Sequence, residues 1–319
     1  MTELVLQPWN ISKIADDSII IMLGMRGSGK TQLAWSIMYE MRNRLHSGIA
    51  FTPTLDTAKE LMRHMPASFI YDDMVPDALD AIQTTKTTIQ SSSGGEEADK
   101  RHVFLFADDC MYDKKHFTSV PVRKLFQNGR HPKCMFINLT QYICDLSPAL
   151  RTNITYLVVF ADTNQGNRIT IHKNYFAMLT YEEFESVFEE ATRGRRALVL
   201  DRTIRSTAEN KYANVFYTEL RRDWIVDGKP VIPEFKIGAP SWWIFDRCYA
   251  IKTSVGSDAI KKELNVAKNQ ASGIEEEATE DGFAGPIDVK KKKKRTTDKH
   301  GGERVKKMVV KALDPPAPD

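Results

Sequence analysis

Ile19-Ile20-Ile21-Met22-Leu23, followed by Gly24-Met25-Arg26-Gly27-Ser28-Gly29-Lys30-Thr31, decides the reading of this chain. A β-branched, apolar run feeds G-x-x-G-x-G-K-T, and a stretch with helical character, Gln32 to Leu45, comes next. Strand, glycine turn and helix in that order are the context a phosphate-binding loop requires. The glycines let backbone N–H groups turn inward as an anion nest at the positive end of the helix. Gly24, Arg26, Gly27, Ser28, Gly29, Lys30 and Thr31 are the expected nucleotide contacts. Lys30 reaches the β- and γ-phosphates, and the Thr31 hydroxyl is placed for Mg²⁺. The pattern predicts a nucleoside triphosphate site.

Working outward, strand candidates alternate with helix candidates. A strand is predicted over 18–23 and a helix over 30–45, then a short strand from Gly48 to Pro53 that proline ends. Helices follow around 55–64 and 75–91, then a polar loop, Ser91 to Glu97. His102 to Asp109 reads as an apolar strand ending in two carboxylates. A helix over 119–128 and strands over Cys134–Thr140 and Ile154–Phe160 come next. The helix Tyr181–Ala191 and strands at Ala197–Leu200 and Val215–Tyr217 complete the pattern. Strands that are apolar throughout belong to a mainly parallel α/β sheet covered by helices on both faces. With the phosphate loop, the intervening strand Gly48–Pro53 and polar residues ending the neighbouring strands, the expected fold class is a P-loop NTPase of the ASCE/RecA-like kind, with a disordered C-terminal tail.

Three segments are expected: a lead-in over 1–17, a P-loop domain over 18–253, and a charged tail over 254–319. The tail holds the acidic block Glu275 to Asp281, six consecutive basic residues from Lys290 to Arg295, and a Pro-rich end. Such blocks bury too little apolar surface to offset ordering entropy. The whole chain carries a net charge of +3, and residues 1–250 balance 30 basic against 30 acidic side chains, so bulk charge announces no nucleic-acid partner. No apolar run approaches the roughly 20 residues of a membrane span, and no signal-peptide pattern opens the sequence. Cys110, Cys134, Cys144 and Cys248 show neither C-x-x-C spacing nor companion His pairs. They are expected reduced and buried, as in a cytosolic-type compartment.

Asp108 and Asp109 end a hydrophobic strand at its carboxyl end, where open α/β sheets place their ligand crevice. Asp108 is the expected Mg²⁺ carboxylate and Asp109 the residue that orients or deprotonates the attacking water. Gln141, at the end of the next strand, is placed to sense the γ-phosphate. An arginine finger is expected at Arg130, in Asn128-Gly129-Arg130-His131, with Arg151 second. A nucleoside or nucleotide kinase is the alternative reading, and its lid would have to come from Arg193-Gly194-Arg195-Arg196.

Taken together, Met25 to Thr31, Phe106-Ala107-Asp108-Asp109-Cys110, Asn128 to His131, Asn138-Leu139-Thr140-Gln141-Tyr142, and Pro148 to Asn153 carry a resemblance. With Val199-Leu200-Asp201-Arg202-Thr203, they resemble the genome-packaging ATPases of large nucleocytoplasmic DNA viruses, within the FtsK–HerA superfamily. The likeness spans roughly residues 16–220. It implies an ATP- and Mg²⁺-dependent motor that moves double-stranded DNA into a capsid as a homo-oligomeric ring. It also implies a capsid or portal-vertex partner, and a place in the host cytoplasm (the viral factory) or the virion. By this likeness Lys30 and Thr31 belong to Walker A, Asp108 and Asp109 to Walker B, Gln141 is the sensor, and Arg130 is the trans finger. The chain departs from the pattern at one point: the wider superfamily usually carries Asp-Glu at Walker B, and this chain carries Asp-Asp.

Overall fold

The computed structural model describes residues 3–74, 77–80, 102–110, 119–128, 133–142, 146–227, 229–244 and 309–312. All belong to one compact unit, Met1–Arg247 with Met308–Asp319. Its centre is β2 (Ile19–Leu23), buried along its whole length. Only a strand with neighbours on both sides and helices on both faces has that environment. In chain order the other strands of the sheet are β1 (Glu3–Pro8), β3 (Leu45–Phe51), β4 (Ile70–Tyr71), β5 (His102–Asp108) and β6 (Cys134–Thr140). They are followed by β7 (Tyr156–Phe160), β8 (Arg196–Asp201), β9 (Val215–Glu219) and, from the far C-terminus, β12 (Val309–Ala312). Short β10 (Ile225–Val226) and β11 (Lys229–Pro230) form a separate antiparallel pair.

The ten-stranded order is β12-β1-β9-β8-β7-β2-β6-β5-β3-β4. Every pairing is parallel except the two made by β8. Register aligns the carboxyl ends of the central strands: Leu23 pairs with Thr140, and Asp108 with Leu139. The ladder continues past them, for Gly24 N–H donates to the Thr140 carbonyl (3.2 Å) and Asp109 N–H to that of Leu139 (3.2 Å). The first glycine of the loop and the acidic pair thereby share one edge of the sheet.

Helices α1 (Lys30–Met41) and α2 (Leu55–Leu61) cover one face. The other is covered by α3 (Val120–Asn128), α5 (Gln165–Tyr175) and α6 (Tyr181–Ala191), while α4 (Pro148–Arg151) is a single turn. Trp35 anchors α1. Its ring is fully buried and stacks on Phe106 of β5, with centroids 5.9 Å apart and planes 18° apart. The start of α1 is thus fixed against the strand that carries the acidic pair, and Trp35→Ala would cost about 3–5 kcal/mol.

The mainly parallel sheet with helices on both faces agrees with the sequence reading. Its details differ in four places. The helix expected to run to residue 45 ends at Met41, because Leu45 is needed in the core as the first residue of β3. Residues 1–17, read as a lead-in, supply β1 as an internal strand. Residues 254–319, read as a disordered tail, supply β12: the β-branched pair Val309-Val310 lies parallel to β1, with Glu3 opposite Val309 and Leu6 opposite Ala312. Charge blocks dominate the composition of that region and hid these four residues. The helix α5 was not foreseen, since only Ile171 of its eleven residues is buried and no apolar stripe marks it. The rest of the tail, most of the helix expected over 75–91 and the loop Ser91–Glu97 lie outside the described residues. Cys110 and Cys134 are buried thiols outside any disulfide among the described residues; Cys144 and Cys248 lie outside the described residues.

Candidate active site

Gly24 to Gly29 turn the chain from β2 into α1 within a few residues. Gly27 and Gly29 take φ of +77° and +102°, the left-handed region where a side chain is strained. Gly24 has a different reason to be glycine: an added Cβ would sit 2.9 Å from the Phe160 Cβ and 2.5 Å from the Ser28 Oγ. The turn leaves the first N–H groups of α1 aimed outward at its positive end.

Lys30 is 6% exposed, and its Nζ donates to the carbonyls of Gly24 (2.6 Å) and Met25 (3.0 Å). Burial lowers its pKa, while Asp109 and Asp108 oppose the shift. Asp108 is 8% exposed, and burial pushes its carboxyl up to about 6, helped by repulsion from Asp109 and resisted by Thr57 and Lys30. The Thr57 hydroxyl, in the first turn of α2, donates to Asp108 Oδ2 (3.3 Å). Asp109 is half-buried, and its backbone takes φ +51°. Gln141 Nε2 donates to Asp109 Oδ2 (3.3 Å). A cation, two carboxylates and an amide therefore meet at one sheet edge beside the glycine loop.

The donor set suits Mg²⁺. Hard oxygen ligands, namely the Thr31 hydroxyl at the start of α1 and the Asp108 carboxylate, stand at an edge that also holds buried hydroxyls with no hydrogen-bond partner among the described residues, Ser28 Oγ and Thr140 Oγ1. Such orphaned polar atoms call for a ligand. A second cation would also offset the burial that, with repulsion from Asp109, raises the Asp108 carboxyl.

The remaining sequence candidates fall in different places. Arg26 lies exposed on the crest of the loop. Arg130 lies outside the described residues. Arg151, on α4, donates through Nη1 to Asn174 Oδ1 (3.1 Å), at the amino end of β7. At about 3.3 Å per strand residue, the length of β2 keeps it from its own phosphate loop. Sequence reasoning did not find Thr57, whose only signal is a place in the first turn of the helix after β3. Nor did it find Phe160, which closes on the loop from the end of β7. That ring divides two cavities. One, of about 240 Å³, touches Gly24, Gln141 and Asp162; the other, of about 230 Å³, touches Gly27, Gly29, Gln32 and Arg195.

Known proteins resemble this chain. A family profile described as Poxvirus A32 protein matches residues 10–216. Uncharacterized protein 075L of Invertebrate iridescent virus 6 is 29% identical over 203 residues, covering 63% of this chain and 76% of that protein. An uncharacterized protein of Acanthamoeba polyphaga mimivirus is 28% identical over 224 residues, covering 68% of this chain and 77% of its own length. Among solved structures, B204, the DNA-packaging ATPase from Sulfolobus turreted icosahedral virus, is 15% identical with a TM-score of 0.41, covering 66% of this chain and all of that one.

Proposed function

The chain belongs to the poxvirus A32 protein family, and from that premise we propose that it is an ATPase whose ATP hydrolysis drives viral genome packaging by translocating double-stranded DNA. The observation that carries the reading is the meeting of Lys30, Asp108, Asp109 and Gln141 at the carboxyl edge beside a glycine loop. A kinase would use the loop alone; the paired carboxylates and the amide that binds one of them suit an attacking water. The family match favours the ATPase over the kinase.

Each residue then has a task. The N–H groups of the loop and α1 bind the phosphates, and Lys30 turns from the Gly24 and Met25 carbonyls to neutralise charge that develops on the transferred phosphoryl. Thr31 and Asp108 would hold Mg²⁺, which supplies neutralisation of the β- and γ-phosphate oxygens. Asp109, oriented by Gln141, accepts the proton of the attacking water. Arg130 is the candidate finger, acting on a neighbouring subunit of a homo-oligomeric ring, with Arg151 in reserve. A capsid or portal-vertex protein is the expected partner, in a virus-infected cell or the virion. No described helix is long and apolar enough to cross a membrane.

Phosphate release by the full chain, with and without double-stranded DNA, tests the reading: DNA should stimulate turnover, and a DNA-indifferent enzyme that phosphorylates a small acceptor would restore the kinase. Mixing inactive Arg130→Ala and Lys30→Ala chains should recover activity at mixed interfaces. Failure despite demonstrated mixed oligomers moves the finger role to Arg151.

A further inference from the structure

The cavity of about 230 Å³ beside the loop shares Gly27, Ser28 and Gly29 with the phosphate site, but its other walls, Gln32, Phe160, Arg195 and Glu219 among them, have no task so far. Sheet order says what part of a nucleotide it faces. The acidic pair and Gln141 lie on β5 and β6, to one side of β2, so the terminal phosphate points that way. The rest of the nucleotide must leave toward β7, β8 and β9, on the other side. The cavity sits there, between the first turn of α1 at Gln32 and Leu33 and the β8–β9 pair. The other cavity, at Gly24, belongs with Leu23 and Ile171 on the opposite face of the sheet. The Phe160 ring forms the floor, with Cε1 3.6 Å from where a Gly29 Cβ would stand.

One wall comes from the turn between α6 and β8, where Gly194 takes φ +70° and the chain passes Arg193, Arg195 and Arg196 in quick succession. The three arginines diverge. Arg193 is 74% exposed and pairs with Glu190 of its own helix (2.9 Å). Arg196 is tied to the hairpin, with Nε bonded to Glu219 Oε2 (3.2 Å) and its guanidinium 4.6 Å above the Tyr217 ring. Arg195 alone of the three lines the cavity, opposite Gly27 and Gly29.

We infer that Arg195 is a nucleoside-binding residue, its planar guanidinium stacking on the base of the bound nucleotide over Phe160 and the first turn of α1. The inference rests on the reading of Gly24–Thr31 as a phosphate loop. Guanidinium planes stack on aromatic faces, which a lysine ammonium does not reproduce. The cavity is smaller than the roughly 300 Å³ at which whole-ligand pockets begin. It therefore takes the ribose and one face of the base, leaving the other to solvent.

Equilibrium binding of MgATP, MgADP and magnesium tripolyphosphate to the full chain tests this, because tripolyphosphate has no nucleoside. Arg195→Ala should weaken MgATP and MgADP alike by about tenfold and leave tripolyphosphate unchanged. Arg195→Lys, which keeps the charge, should lose as much. Arg193→Ala, removing the neighbouring charge, should leave all three affinities intact. Unchanged MgATP affinity in Arg195→Ala, an equal loss for tripolyphosphate, full recovery by lysine or an equal effect of Arg193→Ala would each overturn the assignment. Lys30→Ala should weaken all three ligands. If it weakens none, the phosphate-loop reading itself fails, an outcome separate from failure at Arg195 alone.

Discussion

At the amino ends of the central strands, Asp16 is closed by Arg44 and by His102 Nδ1 (2.6 Å). There too, Arg202 Nη1 donates to the carbonyls of Arg151 (3.1 Å), Thr152 (3.0 Å) and Ile154 (3.0 Å). At the carboxyl ends of the same strands, the Ser28 and Thr140 hydroxyls are buried without a hydrogen-bond partner among the described residues, and Lys30 rests on carbonyls of its own loop. Polar groups crowd both ends. At the first end, ion pairs and carbonyl contacts within the chain tie neighbouring segments together; at the second, a lysine and hydroxyls of the glycine-loop edge stand where a ligand's phosphates would complete them, and the stability that orphaned polar groups cost there is offset when a ligand binds.

The strongest way to break this contrast is at Asp109. Asp109→Asn should lower phosphate release by about 10²–10³-fold while MgATP affinity stays within about threefold, because the water loses its orienter and the phosphates keep theirs. Near-normal turnover would move the base elsewhere.

Asp108 sharpens the contrast through pH. Its folded carboxyl titrates near 6, against 3.8 for the ordinary group. Between those values the native state holds a proton that the unfolded state has lost, so this group's contribution to stability falls as pH rises through the window. Above it, the ionised carboxylate should cost the ligand-free protein on the order of 2–3 kcal/mol. Asp108→Asn should therefore raise the urea midpoint at pH 8 in chelator, with the gain gone below pH 4. An equal gain at both pH values would show that charge is not its source.

At the opposite end, Arg202→Ala should cost about 2 kcal/mol of stability by denaturant unfolding, since three carbonyls lose a charged donor. Nucleotide affinity should not change. A smaller effect is expected at the sheet's edge: truncation after residue 253 removes β12, bares one side of β1 and should lower Tm by about 2–4 °C. An unchanged Tm would mean that the pairing adds no stability.

The legibility of the molecule follows the same division. Apolar strands ending in polar residues announced themselves: Ile19–Leu23 before its glycines, His102–Asp108 before Asp109, Cys134–Thr140 before Gln141. In each, burial on both faces demands a continuous apolar run and chemistry sits where the run stops. Elements held by neighbours rather than by their own periodicity were not readable. Val309–Ala312 is a strand only because β1 offers an edge, and α5 a helix with one buried residue. Thr57 reaches Asp108 from an element whose position depends on sheet order, which local sequence does not contain, and Arg195, legible only as part of an arginine-rich turn, comes to the cavity beside the loop by the same sheet order.

The left-handed backbone at Asp109 (φ +51°) narrows what evolution can place there. Aspartate and asparagine visit this conformation far more readily than other residues with side chains. Asparagine keeps the backbone and forfeits the negative charge; glutamate keeps the charge and contests the backbone. Placing glutamate here would demand a reshaped loop at the same time, so the turn and the acid at this point can only be exchanged together.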